Sequence, residues 1–229
     1  SAGGVWNMMQ RLGERIDEEE LHAVKQMNAD QSEGEKEIPV LFEEMDGVWL
    51  NFQDAHHKKM KKQEMKVFTM YEGWDEEKEK QKRSTLVGKT MLAGMEKSTE
   101  FHEKREACIR KKYNADEIGQ RILNGDGGSW IKEPYDPDTI FQLDRYHIYQ
   151  EILRKISHKE AQKEIRRLFD EEKIEEMLEY IQIYATSVAS PDEKDNSSKN
   201  AMELYQYLNN NKEGLLPYNK RGIAIPEPK

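Results

Sequence analysis

A change of periodicity near residue 146 constrains this chain more than any other sequence feature. Before it, short stretches of alternating residues predict strands; after it, apolar residues recur at helical spacing between Glu and Lys. We therefore expect a sheet combined with a separate set of helices. The predicted parts are a polar helical leader and linker (1–37), a strand-rich core (38–145), a helical insertion (146–213) and an extended tail (214–229).

The core is predicted to hold five strands and one helix. Strands are expected at 38–52, 65–74, 85–93, 121–128 (ending in an acidic, glycine-rich turn) and 139–144. The helix lies between the third and fourth strands, with Ser98 as its N-cap and an end near Tyr113. Short loops predict that strands 1–3 are antiparallel. The crossover helix predicts that strands 4 and 5 are parallel to strand 1, and that strand 4 lies beside it.

Composition excludes several classes of protein. The chain is 36% hydrophobic and 35% charged, its mean hydropathy is -1.00, and it has no apolar run of about 18 residues, so no membrane span is expected. The single cysteine, Cys108, excludes an internal disulfide and a paired-cysteine metal site, and we interpret it as a packed thiol in a cytoplasmic protein. A net charge of -9 argues against general coating of nucleic acid but permits a local basic track.

The densest basic cluster lies between the first two predicted strands. It consists of Lys58, Lys59, Lys61 and Lys62. Such a cluster suits contacts with DNA phosphates, which are electrostatic and indifferent to base sequence. The alternative is an ordinary solvated hairpin tip, and the sequence leaves both open.

Two acidic residues are predicted to converge on one point of the sheet. Asp46 lies within the first strand among apolar residues, and Asp126 ends the fourth strand, which the topology puts beside the first. Neighbouring carboxylates repel each other, and a divalent cation such as Mg²⁺ or Mn²⁺ relieves that repulsion. The alternatives are a solvent-facing aspartate in a strand and an ordinary Asp-Gly turn.

Three short segments carry a family resemblance: Glu44-Met45-Asp46-Gly47, Gly125-Asp126-Gly127-Gly128-Ser129-Trp130-Ile131 and Leu143-Asp144-Arg145-Tyr146-His147. Together they resemble the core signature of ISLre-type bacterial insertion-sequence transposases, long catalogued as an uncharacterised protein family. The likeness runs from about Met27 to Lys229. It implies a ribonuclease H-like fold and metal-dependent cleavage and strand transfer of DNA, with transposon ends and target DNA as partners.

The resemblance also assigns residue roles. It implies that Asp46 and Asp126 are the first two acids of an Asp-Asp-Glu triad that holds Mg²⁺ or Mn²⁺, two ions in the complete protein. It places Asp144 and His147 beside them in a supporting role. For Asp144 the alternative is an N-cap of the helix that follows.

One part of the family pattern is missing. The third acid is expected after the helical insertion, in a segment containing glycine and glutamate, and Pro226-Glu227-Pro228-Lys229 does not resemble it. The expected amino-terminal DNA-binding region is not recognisable either. The sequence therefore predicts a transposase fragment that is inactive alone, and it leaves open whether the chain forms a homo-oligomer. The alternatives are a nuclease or resolvase of the same fold, and a non-enzymatic helical interaction module.

Overall fold

The structure is a computed structural model that describes residues 34–52, 58–59, 61–75, 85–132, 138–190 and 195–222. It also describes residues 11, 15, 18, 19 and 22 of the predicted leader, which are helical. The rest of the leader, its linker before Gly34, and the tail beyond Gly222, with Glu227, lie outside the described residues.

Seven strands are present in the described residues. They are β1 (Lys36–Leu50), β2 (Gln63–Tyr71), β3 (Gly73–Trp74), β4 (Leu86–Val87), β5 (Thr90–Gly94), β6 (Tyr113–Gly125) and β7 (Ile140–Leu143). Five of them form one sheet in the order β5-β2-β1-β6-β7. Because β2 pairs with β5 antiparallel and β6 pairs with β7 parallel, the sheet is mixed. The prediction of a mixed five-stranded sheet is confirmed.

The second and third strands are shorter than predicted. Residues Gly73–Trp74 and Leu86–Val87 leave the large sheet and pair with each other in a separate two-stranded sheet. Glycines with positive φ flank this small sheet, Gly73 at 137° and Gly88 at 63°. Residues with a side chain rarely adopt these values, so the two glycines let the chain turn out of the main ladder.

A helix of the core, α1 (Ser98–Lys112), passes into β6 without a connecting residue. Ser98 is its first helical residue and not its cap. The cap position belongs to Lys97, for which the described structure shows no side-chain capping bond. The Tyr113 N–H still donates to the Ile109 carbonyl oxygen although Tyr113 already begins β6. The fourth strand therefore starts well before the predicted Arg121.

In the part of the chain that the structure describes, five further α-helices follow β6. They are α2 (Ser129–Lys132), α3 (Arg145–Lys155), α4 (Lys159–Asp170), α5 (Ile174–Ser187) and α6 (Ser197–Asn210). The last four bury one apolar stripe each, with Ile152, Ile165, Ile181 and Leu204 all fully buried in one cluster. Short 3-10 turns follow at Lys212–Gly214 and Tyr218–Lys220. Among the helices of the described residues, none has both the length and the apolar character that a membrane crossing needs.

Contacts divide the chain into two compact units. One unit comprises Glu43–Asp46 and Ile122–Ile225, and the other comprises the remaining segments, including Gly47–Arg121. All four predicted catalytic and supporting residues belong to the first unit. The candidate site therefore lies within that unit.

Candidate active site

Three backbone positions meet at the end of the parallel strands. Gly125 and Leu143 are register partners in the β6–β7 pair. A Cβ atom added to Gly125 would lie 3.1 Å from the carbonyl oxygen of Met45 in β1, so these two backbones are in close contact as well. The residues that follow these three positions along the chain are Asp46, Asp126 and Asp144. The fold therefore brings three aspartates to neighbouring starting points.

His147 connects two of the three aspartates. Its Nε2 atom lies 3.8 Å from Asp46 Oδ1 and 3.9 Å from Asp144 Oδ2. These separations exceed a hydrogen-bond length, so the contacts are electrostatic and become ion pairs when the imidazole is protonated. His147 stands three residues after Asp144, a spacing that puts both on one side of the first turn of α3.

Asp144 has the capping role that the sequence left open, and its supporting role beside a metal ion stays a prediction. It is the N-cap of α3, because its Oδ1 accepts the Tyr146 N–H at 2.8 Å. Its own N–H donates to the Gly125 carbonyl oxygen at 2.9 Å, which continues the β6–β7 pairing by one residue. Its other oxygen, Oδ2, is the one near His147. The capping bond thus orients this carboxylate relative to the site.

The turn that carries Asp126 is held by two kinds of hydrogen bond. Asp126 Oδ1 accepts the Gly128 N–H at 2.8 Å, so the carboxylate bonds to its own turn. The Asp126 carbonyl oxygen accepts the hydroxyl of Tyr207 at 2.8 Å, from a position 81 residues further along the chain, in α6. The sequence did not indicate that Tyr207 contacts this turn, because no local spacing connects two residues so far apart.

A second contact at this turn involves Asn211, just after α6. The Asn211 side chain donates through Nδ2 to the Tyr207 carbonyl oxygen at 2.8 Å, and its Oδ1 accepts Lys132 Nζ at 2.6 Å. Gly127 lies against this side chain with a φ of 81°. Asn211 is buried at 5% exposure, so the carboxyl end of α6 and the short α2 enclose the turn from two sides.

Three carboxylates lie close enough to the Tyr207 hydroxyl to affect its pKa. Burial raises the pKa of Tyr207 above its usual value, and the negative charges of Asp126, Glu151 and Asp144 raise it further. The phenol therefore stays protonated and remains a donor at ordinary pH. Glu151 was also missed, although its place four residues after His147 on α3 is a signal that the sequence offered. Arg154 binds Glu151 at 2.6 Å.

We predict that Gly127→Ala destabilises the protein. A left-handed φ costs a residue with a side chain about 1–2 kcal/mol. In addition, the new Cβ would lie 2.6 Å from Asn211 Oδ1, whose hydrogen bonds fix it in place. The control is Gly222→Ala, because Gly222 has a φ of 70° and, among the described residues, nothing lies within 4 Å of an added Cβ. Chemical denaturation should show a larger loss for Gly127→Ala, by about 1 kcal/mol. Equal losses of stability in the two variants would mean that the Asn211 side chain moves freely away from the new Cβ atom.

The chemistry of the donors suits a hard divalent cation. Asp46 and Asp126 offer carboxylate oxygens, the ligands that Mg²⁺ and Mn²⁺ prefer. The side chain of Asp46 is 52% exposed, which leaves it accessible to an ion from solvent. Among the described residues, no group of three or more His, Cys, Asp or Glu is placed so that it could hold a metal ion.

The four lysines of the predicted DNA contact belong to the other unit and precede β2. All four are exposed: Lys58, Lys59, Lys61 and Lys62. Their position between β1 and β2 agrees with the predicted connection between the first two strands. Both interpretations of the cluster, phosphate contact and solvated tip, remain predictions.

Fold and site together define an α/β protein in which three aspartates follow backbone positions that meet on neighbouring strands. Residues 10–225, nearly the whole chain, match the model of a family described as "Uncharacterised protein family (UPF0236)". The chain belongs to this family. No curated protein matches the sequence.

Proposed function

We propose that this chain carries catalytic residues of a DNA transposase, a metal-dependent enzyme that cleaves and joins phosphodiester bonds. The observation that carries the proposal is the meeting of Met45, Gly125 and Leu143, each of which is followed by an aspartate. The resemblance of these segments to ISLre-type transposases requires the first two acids to stand on adjacent strands. The close contact between Met45 and Gly125 supports that requirement.

The proposal includes a ribonuclease H-like fold for the core. Three observations support it. An antiparallel pair, β2 with β5, precedes the helix α1. A parallel pair, β6 with β7, follows it. The strand that carries Asp46 is the central one of the sheet, next to the strand that ends before Asp126.

Each residue of the site has a distinct proposed role. Asp46 and Asp126 would hold Mg²⁺ or Mn²⁺, and such an ion supplies charge for the attacking and the leaving oxygen of the transferred phosphodiester. Asp144 caps α3 and, with His147, fixes the electrostatic surroundings of Asp46. The lysines before β2 would contact DNA phosphates in a way that does not depend on base sequence.

The test of the proposal is Mn²⁺ binding, measured by water-proton relaxation on the whole chain. We expect weak binding, with a Kd on the order of 10⁻⁴ to 10⁻³ M, because a pair of carboxylates is a small ligand set for a hard cation. Asp46→Asn and Asp126→Asn should each weaken binding at least about tenfold, since each removes one charged ligand.

The control for this experiment is Glu44→Gln. Glu44 lies on the same strand as Asp46, is also exposed, and loses the same charge on substitution. The Glu44→Gln variant should bind Mn²⁺ as the parent chain does. If both aspartate variants also behave like the parent, or if Glu44→Gln weakens binding equally, the ion is attracted by net charge alone and the proposed site is wrong.

A further inference from the structure

Tyr207 reaches the turn of Asp126 from a distant part of the chain. Its hydroxyl donates to the Asp126 carbonyl oxygen at 2.8 Å, while its ring lies half-buried on α6. The neighbouring Leu208 and Leu204 are fully buried, which anchors this part of the helix in the helical core. The hydroxyl is therefore a fixed donor, since the helix that carries it is held by packing.

The carboxylate of Asp126 depends on the shape of the same turn. Its Oδ1 accepts the Gly128 N–H, so a rotation of the peptide units around Gly127 would also move the carboxylate. Tyr207 binds the carbonyl oxygen of Asp126, between the carboxylate and this flexible glycine pair. The hydrogen bond from Tyr207 therefore fixes the orientation of the peptide group that joins Asp126 to Gly127, where the turn starts.

The same end of α6 holds the turn on its other side. Asn211 donates to the Tyr207 carbonyl oxygen and accepts from Lys132, and it lies against Gly127. Tyr207 therefore belongs to a polar group that links α2, the acidic turn and α6. Together these hydrogen bonds satisfy the polar atoms of the group, and that favours one turn conformation.

We propose that Tyr207 is a positioning residue for Asp126: its hydroxyl holds the acidic turn so that the Asp126 carboxylate is presented for a divalent cation. This inference rests on the proposed function, because it gives the helical segment a task at the same site. Tyr207 acts through Asp126 and does not itself touch the ion.

The test compares Tyr207→Phe with Tyr205→Phe on the whole chain. Both changes remove one phenolic oxygen from a half-buried ring of α6. Tyr207→Phe should weaken Mn²⁺ binding about two- to tenfold, the equivalent of one lost hydrogen bond. It should also shift the amide resonance of Gly128 in a metal-free nitrogen–proton correlation spectrum, because the Gly128 N–H bonds to Asp126. Tyr205→Phe should change neither.

Adding Asp126→Asn separates the possible outcomes. If Tyr207→Phe leaves Mn²⁺ binding and the Gly128 resonance unchanged while Asp126→Asn weakens binding, this inference fails and the proposed function stands. If Asp126→Asn has no effect on binding, this inference fails, and if Asp46→Asn has none either, the proposed function fails with it. If Tyr207→Phe weakens Mn²⁺ binding as much in the Asp126→Asn variant as in the parent chain, Tyr207 does not act through Asp126 and the inference fails. A smaller effect of Tyr207→Phe in the Asp126→Asn variant supports the inference.

Discussion

DNA should bind this chain on the order of 10²-fold more weakly at about 50 mM salt after Lys58, Lys59, Lys61 and Lys62 are replaced by glutamine. Each phosphate contact releases bound counterions from DNA, so the affinity falls steeply with added salt. Losing four such contacts should reduce the salt slope of log K by about 3 to 4. Fluorescence anisotropy on labelled duplex DNA over a range of salt concentrations measures both quantities.

A charge-matched control distinguishes a local contact from general repulsion. The control variant replaces four exposed lysines from other parts of the chain by glutamine: Lys89, Lys97, Lys111 and Lys159. This variant has the same net charge as the first. It should keep most of the affinity and the slope. Similar losses in both variants would show that the chain binds DNA only through its overall charge, and the cluster would then be a solvated connection.

Leu208→Ala should lower the free energy of unfolding by about 2–5 kcal/mol. Leu208 is fully buried in the helical core, and its removal leaves a cavity that rigid neighbouring helices do not fill. The same change at Leu153, which is 45% exposed on α3, should stay within about 0.5 kcal/mol. Guanidinium denaturation followed by circular dichroism measures the difference.

The stability comparison also bears on the site. Leu208 is next to Tyr207, so loss of packing at this position should loosen the end of α6. A cost for Leu208→Ala no larger than that for Leu153→Ala would mean that this helix is only loosely packed. Tyr207 would then be a poor anchor for the acidic turn.

Much of the architecture could be predicted from local patterns. The apolar run around Val40 and the alternation around Phe68 indicated the first two strands, and helical spacing through Ile156, Leu168 and Ile181 indicated the helical segment. These patterns work because a strand and a helix each bury one face, and burial imposes its own period on the sequence. The close approach of the Met45 and Gly125 backbones followed from the predicted topology, because β1 and β6 are neighbouring strands.

The parts that sequence could not predict are set by distant partners. Nothing near Asp126 indicates that Tyr207 lies against its carbonyl oxygen, because the contact depends on how four helices pack. The break of the second strand at Tyr71 was missed for a different reason. The residues on both sides of Gly73 suit a strand, and the positive φ of that glycine decides against continuation.

The junction between α1 and β6 limits changes in chain length. Lys112 ends the helix and Tyr113 begins the strand, where the Tyr113 hydroxyl donates to Glu72 Oε1 at 3.0 Å. One residue inserted or deleted there would exchange the two faces of β6, because side chains alternate along a strand. Tyr113 would lose its hydrogen bond to Glu72, and every later side chain of the strand would point to the opposite face of the sheet. The number of residues at this junction is therefore constrained by the strand that follows it.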